Sequence, residues 1–321
     1  MATKFEDTFK VDKDPVPLVI IDMMVHAHVV NNYLDRIKNF VNPEHEDQVI
    51  KALYAIDINR APEFLPPFER RIVVVADQKY QSGKYAGQYW RGKEVDKDER
   101  MGFIWEDYAE TEKVKVEDLQ VGYKGTRGTK SEQLVNVIRI GFEYCREHFP
   151  TFCEEGYEAD DIAGAIYRRS RDFSGLCRER QVFLSTIDCD WHQLVDNEHK
   201  VYWANTRIPR PRERFQDRLR GSDQVIYHTL HKAGHDIDHP SKLAEKKVLA
   251  GDMGDNLPPG SPIEYFDLCE ENPKYSIEKL PWYETMVDAL NDPEPNWHPE
   301  HMKKATTALV KAGIEPIFNI G

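Results

Sequence analysis

Nine carboxylates of this chain stand where apolar runs end, and an all-oxygen donor set of that size suits the binding of divalent cations. Asp22 follows Leu18-Val19-Ile20-Ile21, and Asp77 follows Ile72-Val73-Val74-Val75-Ala76. Glu158, Asp160 and Asp161 sit together in Gly156 to Asp161. Asp188 and Asp190 follow Val182-Phe183-Leu184-Ser185-Thr186, and Asp252 and Asp255 lie in Gly251 to Asn256. Short β-branched runs read as buried parallel strands, and open α/β sheets bind ligands at the carboxyl ends of such strands. Two carboxylates about 4 Å apart repel by roughly 4 kcal/mol at an effective dielectric of about 20. A converged cluster without cations would therefore oppose folding. Hard ions, Mg²⁺ or Mn²⁺, match oxygen ligands best.

The elements that must position these acids are readable from periodicity. After the first strand the pattern predicts a helix from about Val25 to Phe40, another from about Glu46 to Ile56, and a second strand from Arg71 to Ala76. From Gln78 to Lys130 glycines, tyrosines and charges replace any long apolar period, which predicts a mobile excursion from the sheet. Insertions of that length in compact domains usually serve as lids or binding loops. Within it Tyr85, Tyr89, Trp90, Trp105, Tyr108 and Tyr123 interleave with Lys79, Lys84, Arg91, Lys124 and Arg127. Aromatic rings can stack on bases while cations hold phosphates. The acidic setting of Trp105 and Tyr108 suits packing onto the body instead.

Leu134, Val135, Ile138, Phe142 and Cys145 recur at helical spacing, so Glu132 to His148 reads as an amphipathic helix. Glu158, Asp160 and Asp161 open the next helix, which runs to about Arg169. The helix dipole favours acids there, but a cap needs one acid, and three in four positions exceed that need. Strands are expected at Val182 to Leu184 and Val201 to Trp203, after which helices dominate, one of them from about Ser241 to Ala250. The fold class is α/β: a central, mostly parallel twisted sheet with helices on both faces, a long excursion over 78–130 and a helical C-terminal region.

With 321 residues the chain has room for one large core and a smaller appendage. Its five cysteines include no C-x-x-C pair, so neither a zinc site nor a disulfide framework is suggested, and a reducing cytoplasm fits. No apolar segment approaches the roughly 20 residues that span a bilayer, and Met1 to Asp14 is charged in both signs rather than signal-like. The net charge of −13 argues at first against a nucleic-acid partner. Its distribution answers that objection. Part of the excess is the acidic cluster itself, whereas Lys124, Arg127 and Lys130 form one basic patch. Arg207, Arg210, Arg212, Arg214, Arg218 and Arg220 form another, interleaved with Glu213 and Asp217 as in an ordinary helix surface.

The blocks Gly156-Tyr157-Glu158-Ala159-Asp160-Asp161, Ser185-Thr186-Ile187-Asp188-Cys189-Asp190-Trp191 and Gly251-Asp252-Met253-Gly254-Asp255-Asn256 resemble, in order and spacing, the acidic blocks of the flap endonuclease/5′-nuclease superfamily. The resemblance runs from about Leu18 to Asn256. It implies two Mg²⁺ ions, with Mn²⁺ as a substitute, the first served by Asp22, Asp77, Glu158 and Asp160 and the second by Asp161, Asp188, Asp190, Asp252 and Asp255. It also implies an arch over the active site at 78–130. Tyr123-Lys124-Gly125-Thr126-Arg127 resembles the family's basic element, which makes Lys124 and Arg127 the residues expected to hold the scissile phosphate. Lys79, Lys84, Arg91, Tyr123, Lys130, Lys242, Lys246 and Lys247 complete the expected nucleic-acid contacts. The implied organisation is a nuclease core over 1–235, arch included, followed by a helical DNA-binding region over 236–321.

The implied function is metal-dependent 5′ nuclease action on DNA flaps, nicks or ends and on RNA–DNA hybrids during primer removal. A monomer is expected, working with replisome proteins in the cytoplasm, that of the host if the chain is phage-encoded. The chain departs from the family pattern twice. The segment Lys93 to Gln120 is longer and rich in Glu and Asp, so an arch built from it would repel nucleic acid unless its acids turn outward. After Asp255-Asn256 the chain continues Leu257-Pro258-Pro259-Gly260 in place of a Gly-x-Gly hairpin, which weakens the expectation of duplex binding there. Three rivals stand beside this reading. An Asp-nucleophile phosphatase lacks a second Asp two positions after Asp22, and PIN-type endoribonucleases are shorter and have no long arch segment. A catalytically weak nucleic-acid adaptor would not need all nine acids.

Overall fold

The computed structural model describes residues 16–61, 69–95, 97–119, 123–124, 128, 130–172, 180–205, 219–228, 236–252, 254–261 and 279–314. Six strands form one sheet: β1 (Leu18–Asp22), β2 (Arg71–Val75), β3 (Thr151–Phe152), β4 (Val182–Thr186), β5 (Val201–Asn205) and β6 (Leu219–Arg220), in the order β3-β2-β1-β4-β5-β6. All neighbours pair in parallel except β5 with β6. Parallel strands need both faces covered, and the apolar runs supply both. Val19, Ile21, Ile72 and Val74 face a core with α1 (Met23–Ile37), α2 (Glu46–Arg60), α5 (Glu132–His148) and α10 (Pro299–Lys311). Leu18, Ile20, Val73 and Val75 face a second core with α6 (Ala159–Asp172) and α9 (Tyr283–Asn291). The expected mostly parallel sheet with helices on both faces is therefore present. Its C-terminal helices α9 and α10 belong to the two sheet cores, so the residues after 235 do not form a core of their own among the described residues.

Local signals explain the element ends. Asp22 terminates β1 and caps α1, accepting from the amides of Met24 (3.1 Å) and Val25 (3.4 Å), so the helix begins two residues earlier than periodicity suggested. Ser131 caps α5 by accepting from the amide of Leu134 at 3.2 Å. On α5, Gly141 lies against the buried ring of Tyr54, and a Cβ there would overlap that ring. Gly141→Ala is expected to lower stability by about 1–3 kcal/mol through overpacking, more than the ~1 kcal/mol that helix propensity returns. A urea midpoint equal to or above that of the parent would refute this.

The excursion after β2 is not structureless. It contains α3 (Trp90–Val95) and α4 (Arg100–Glu112). Met101, Trp105 and Ala109 are buried at four-residue spacing on α4, while Glu106, Asp107, Glu110 and Glu112 are exposed. These acids are thus solvent-exposed, opposite the packed face of α4. Trp90, Val95, Met101 and Trp105 pack on Ala244 of α8 (Leu243–Ala250) and on Leu257. The arch segment and the residues after α8 therefore form a third small core beside the sheet. Strands β3 and β6, two residues each, were not anticipated, and α7 (Ser222–His228) follows β6. Arg207, Arg210, Arg212, Arg214 and Arg218 lie outside the described residues, as does Arg127. No helix among the described residues is long and apolar enough to cross a membrane.

Candidate metal and nucleic-acid site

All the acids singled out in the sequence come to the edge of the sheet where the parallel strands end. Asp22 stands at the end of β1, and Thr186, the last residue of β4, donates to it at 2.8 Å. Asp77, just past β2, accepts from the amide of Ala159 at the start of α6 (2.8 Å) and from the Tyr89 hydroxyl (3.2 Å). Glu158 precedes α6, and Asp160 and Asp161 occupy its first turn. Asp188 caps the 3₁₀ turn Cys189–Leu194, accepting from the amide of Asp190 at 2.9 Å. Asp252 and Asp255 lie in a tight turn closed by paired backbone bonds between Asp252 and Leu257 (2.8 and 2.9 Å). Gly251 enters that turn at φ +78, and backbone of residues 257–259 packs where its Cβ would be.

Two groups of acids present oxygens close enough to share an ion. Glu158, Asp160 and Asp161 bring one oxygen each within 4.8 Å of one another, and so do Asp190, Asp252 and Asp255. The division differs from the expected one, because Asp161 groups with Glu158 and Asp160 on the α6 side. Tyr123 links the two groups: its hydroxyl lies 2.6 Å from Glu158 and 3.1 Å from Asp255.

Three cations are drawn into the cluster. Arg91, on α3, is 4% exposed, and its guanidinium donates to Glu158 (3.0 Å), Asp160 (3.1 Å) and Asp161 (2.6 Å). Lys124 pairs with Glu158 and lies 3.8 Å from Asp255. Lys247, on α8, pairs with Asp190 and lies 2.5 Å from Asp252. Arg91 and Lys247 were expected among the nucleic-acid contacts; here both pack against carboxylates, Arg91 4% and Lys247 13% exposed. Buried carboxylates are costly unless paired, so nearby cations turn inward.

The charge balance remains uneven. Burial raises the Glu158 carboxyl, but Lys124 and Arg91 outweigh it and hold the pKa at about 2. Lys247 likewise overcomes burial and keeps Asp190 below the usual carboxylate range. Asp160 and Asp161 go the other way, raised by burial and by neighbouring acids despite Arg91. Burial and Asp77 push Asp22 up to about 6. Asp188 reaches solvent at its turn, yet crowding of its carboxyl by protein, followed by Asp190, pushes it up to about 7. Nine carboxylates around three cations, with several acids held above their ordinary range, form a donor set that additional positive charge would stabilise. Their chemistry fits hard divalent ions.

The remaining basic residues have different surroundings. Lys79 lies over the Tyr89 ring (5.4 Å), and Lys84, Lys93 and Lys97 surround Tyr85 at 5.3 Å each. Lys130 is exposed, close enough to His28 to lower its pKa after burial does. Lys242 is exposed beside Glu245, and Lys246 is half-buried on α8.

Several partners of the acids were not foreseen from sequence. Trp90 donates from its ring nitrogen to Asp161 at 2.9 Å, and Tyr89 and Thr186 donate to Asp77 and Asp22 as described above. His26, buried on α1, has Nδ1 2.6 Å from Asp57 and Nε2 3.2 Å from Ser185. The only advance signal for these was adjacency: Tyr89-Trp90-Arg91 puts three consecutive donors in the excursion, and Ser185-Thr186 ends the strand before Asp188.

No family model matches the chain. The flap endonuclease of Escherichia phage T5 is 29% identical over 147 residues, 42% of this chain and 43% of that protein. DNA polymerase I of Chloroflexus aurantiacus is 28% identical over 145 residues, 44% of this chain and 14% of the polymerase. The matches thus span less than half the length of these curated relatives. Among solved structures, a bacteriophage T5 flap endonuclease pseudo-enzyme–product complex with DNA and metal ions aligns over 92% of this chain and 98% of that one, at 16% identity and a TM-score of 0.46. The T5 5′-exonuclease with bound divalent zinc ions gives the same figures. Over less than half of its length the chain is thus similar in sequence to a flap endonuclease and to a DNA polymerase I.

Proposed function

We propose that this chain is a divalent-metal-dependent 5′ nuclease that hydrolyses phosphodiester bonds at the 5′ ends, nicks or flaps of DNA and in RNA–DNA hybrids. The observation that carries this reading is the pair of carboxylate triads at one sheet edge, bridged by Tyr123 and flanked by the arch helices. Two divalent cations, Mg²⁺ or Mn²⁺, would be held by Glu158, Asp160 and Asp161 and by Asp190, Asp252 and Asp255, with Asp22, Asp77 and Asp188 beside them. Such ions lower the pKa of bound water and neutralise charge that develops on phosphate oxygens.

The chain's own groups do the rest. Hydrolysis adds water to phosphorus and breaks the P–O3′ bond, leaving 5′-phosphate and 3′-hydroxyl ends. Lys124 lies at the rim of the triads and, released from Glu158 when cations take its place, can donate to the scissile phosphate. Tyr123 fixes the spacing of the two triads through its hydroxyl. Arg127 extends the same basic element, and Lys79, Lys84, Lys130, Lys242 and Lys246 supply phosphate contacts outside the acidic edge. The α3–α4 excursion, anchored by Trp90 and Trp105, shields the site from bulk water on the arch side.

Lys124→Ala is expected to lower single-turnover cleavage by about 10²–10³-fold. The Cβ and the backbone bond from Lys124 to Asp255 (2.8 Å) remain, and Arg91 and Tyr123 still donate to Glu158. A loss under about threefold would remove Lys124 from the phosphate site. Metal-dependent release of short 5′ products from labelled flap, nicked and hybrid duplexes, blocked by EDTA, tests the function itself.

A second reading has one observation in its favour. Arg91 fills the Glu158–Asp160–Asp161 triad with a guanidinium, which suits a catalytically weak nucleic-acid-binding protein of the same fold. Substrate binding without cleavage in Mg²⁺ and in Mn²⁺ would select that reading.

A further inference from the structure

The end of the sheet opposite the acidic edge carries a cluster of different chemistry. His148 ends α5, just before β3 starts, and His298 and His301 stand at the cap and in the first turn of α10. The rings of His298 and His301 are 4.6 Å apart between centroids, His148 and His301 5.1 Å, and His148 and His298 6.3 Å. The Glu147 carboxylate lies 4.0 Å from His148 Nε2. We propose that His148, His298 and His301 form a nitrogen-donor site for a borderline transition-metal ion such as Zn²⁺ or Co²⁺, which ties α10 to α5 at the base of the sheet.

Geometry and charge both support this. A tetrahedral ion bound through imidazole nitrogens at about 2.0–2.1 Å holds pairs of ring centroids roughly 5 Å apart. Two of the three separations are close to that figure and the third, His148 to His298, is 6.3 Å; as the rings stand, one nitrogen from each does not come within the 4.8 Å that the acidic triads meet. His298 and His301 lie 23° from parallel, and His148 stands at 69–74° to both, so coordination needs the rings to turn about χ2. That torsion is broad and two-fold for histidine. Burial first, with neighbouring positive or histidine groups adding to it, keeps all three imidazoles below their ordinary pKa. Lys51 of α2 and Lys304 of α10 add to this, and Glu147 is the acid that opposes it. Neutral imidazole is the form that binds metal. The donor type separates this site from the acidic edge, since imidazole selects Zn²⁺, Co²⁺, Ni²⁺ or Cu²⁺ and carboxylates accept Mg²⁺.

Co²⁺ titration in millimolar Mg²⁺ tests the proposal, because nitrogen-rich tetrahedral Co²⁺ absorbs strongly in the visible and six-coordinate Co²⁺ on oxygen ligands absorbs weakly. The intact chain is expected to give one strongly absorbing equivalent and a higher melting temperature with Zn²⁺. His301→Asn and His148→Asn should weaken that binding at least about 10–100-fold, with unchanged far-UV circular dichroism, whereas Asp188→Ala should leave it intact. Absence of the strong band in the intact chain, equal affinity in the histidine variants, or its loss in Asp188→Ala would each overturn the assignment. The readout is independent of nuclease activity.

Discussion

Asp188→Ala is expected to reduce metal-dependent cleavage by about 10²–10³-fold or more while leaving substrate affinity within a few-fold, because on the proposed function Asp188 would act on the ions and not on the nucleic acid. The structure makes this a clean test. Asp188 sits in an exposed turn, so its side chain fills no core. Its structural contribution is the cap on the 3₁₀ turn, worth about 1 kcal/mol. Against that, crowding of its carboxyl by surrounding protein and then Asp190, with Asp22 adding to the repulsion, raise it to about 7 although the residue reaches solvent. The ionised form is therefore strained at neutral pH, and removing it relieves the strain. The two effects oppose each other, so the melting temperature in EDTA should move by no more than a few degrees. Single-turnover rates with a 5′-labelled flap, and anisotropy titrations in Ca²⁺, give the two numbers. Undiminished cleavage would exclude Asp188 from the metal site, and a parallel loss of binding and melting temperature would make its role structural.

The acids were legible because each follows a local rule. Asp22, Asp77 and Asp188 come where a short, β-branched apolar run ends, and such runs read as buried parallel strands in a sheet covered on both faces. Glu158, Asp160 and Asp161 exceed what a helix start requires. The arch was misjudged for a different reason. Its apolar positions Met101, Trp105 and Ala109 do recur every fourth residue, but exposed acids surround them and dilute the period. The stripe is narrow because it packs only into the small third core, not onto the sheet. Strands β3 and β6 have two residues each and leave no periodic trace.

The roles of Arg91 and Lys247 could not be read from sequence at all. A cation among tyrosines and glycines looks like a surface group, and nothing local states that three acids 67–70 positions away will converge on it. Pairing of this kind is decided by tertiary approach of α3 to α6. It is visible only once the energetic cost of an unpaired buried carboxylate is set beside the distances.

That dependence yields the second large effect. Arg91→Ala removes a buried guanidinium that donates to Glu158, Asp160 and Asp161 and leaves those carboxylates in a crowded site with Lys124, Tyr123 and the Trp90 ring nitrogen as donors facing them. Breaking a buried ion pair by deleting one partner typically costs about 3–5 kcal/mol, and a loss of that size is expected in EDTA, read from urea unfolding. On the proposed function, divalent cations would supply the missing charge on the same oxygens. Mg²⁺ or Mn²⁺ at millimolar concentration should therefore recover more stability in the variant than in the parent chain, in proportion to how much more tightly the variant binds the ion. A binding isotherm should show tighter metal affinity in Arg91→Ala than in the parent. If instead the variant is destabilised equally with and without cations, Arg91 is a structural pin of α3 and the triad is not its competitor for metal. Tighter metal binding together with retained cleavage would mean that Arg91 holds the triad in place until ions arrive. Tighter binding together with faster cleavage would mean that the guanidinium holds the parent enzyme in check.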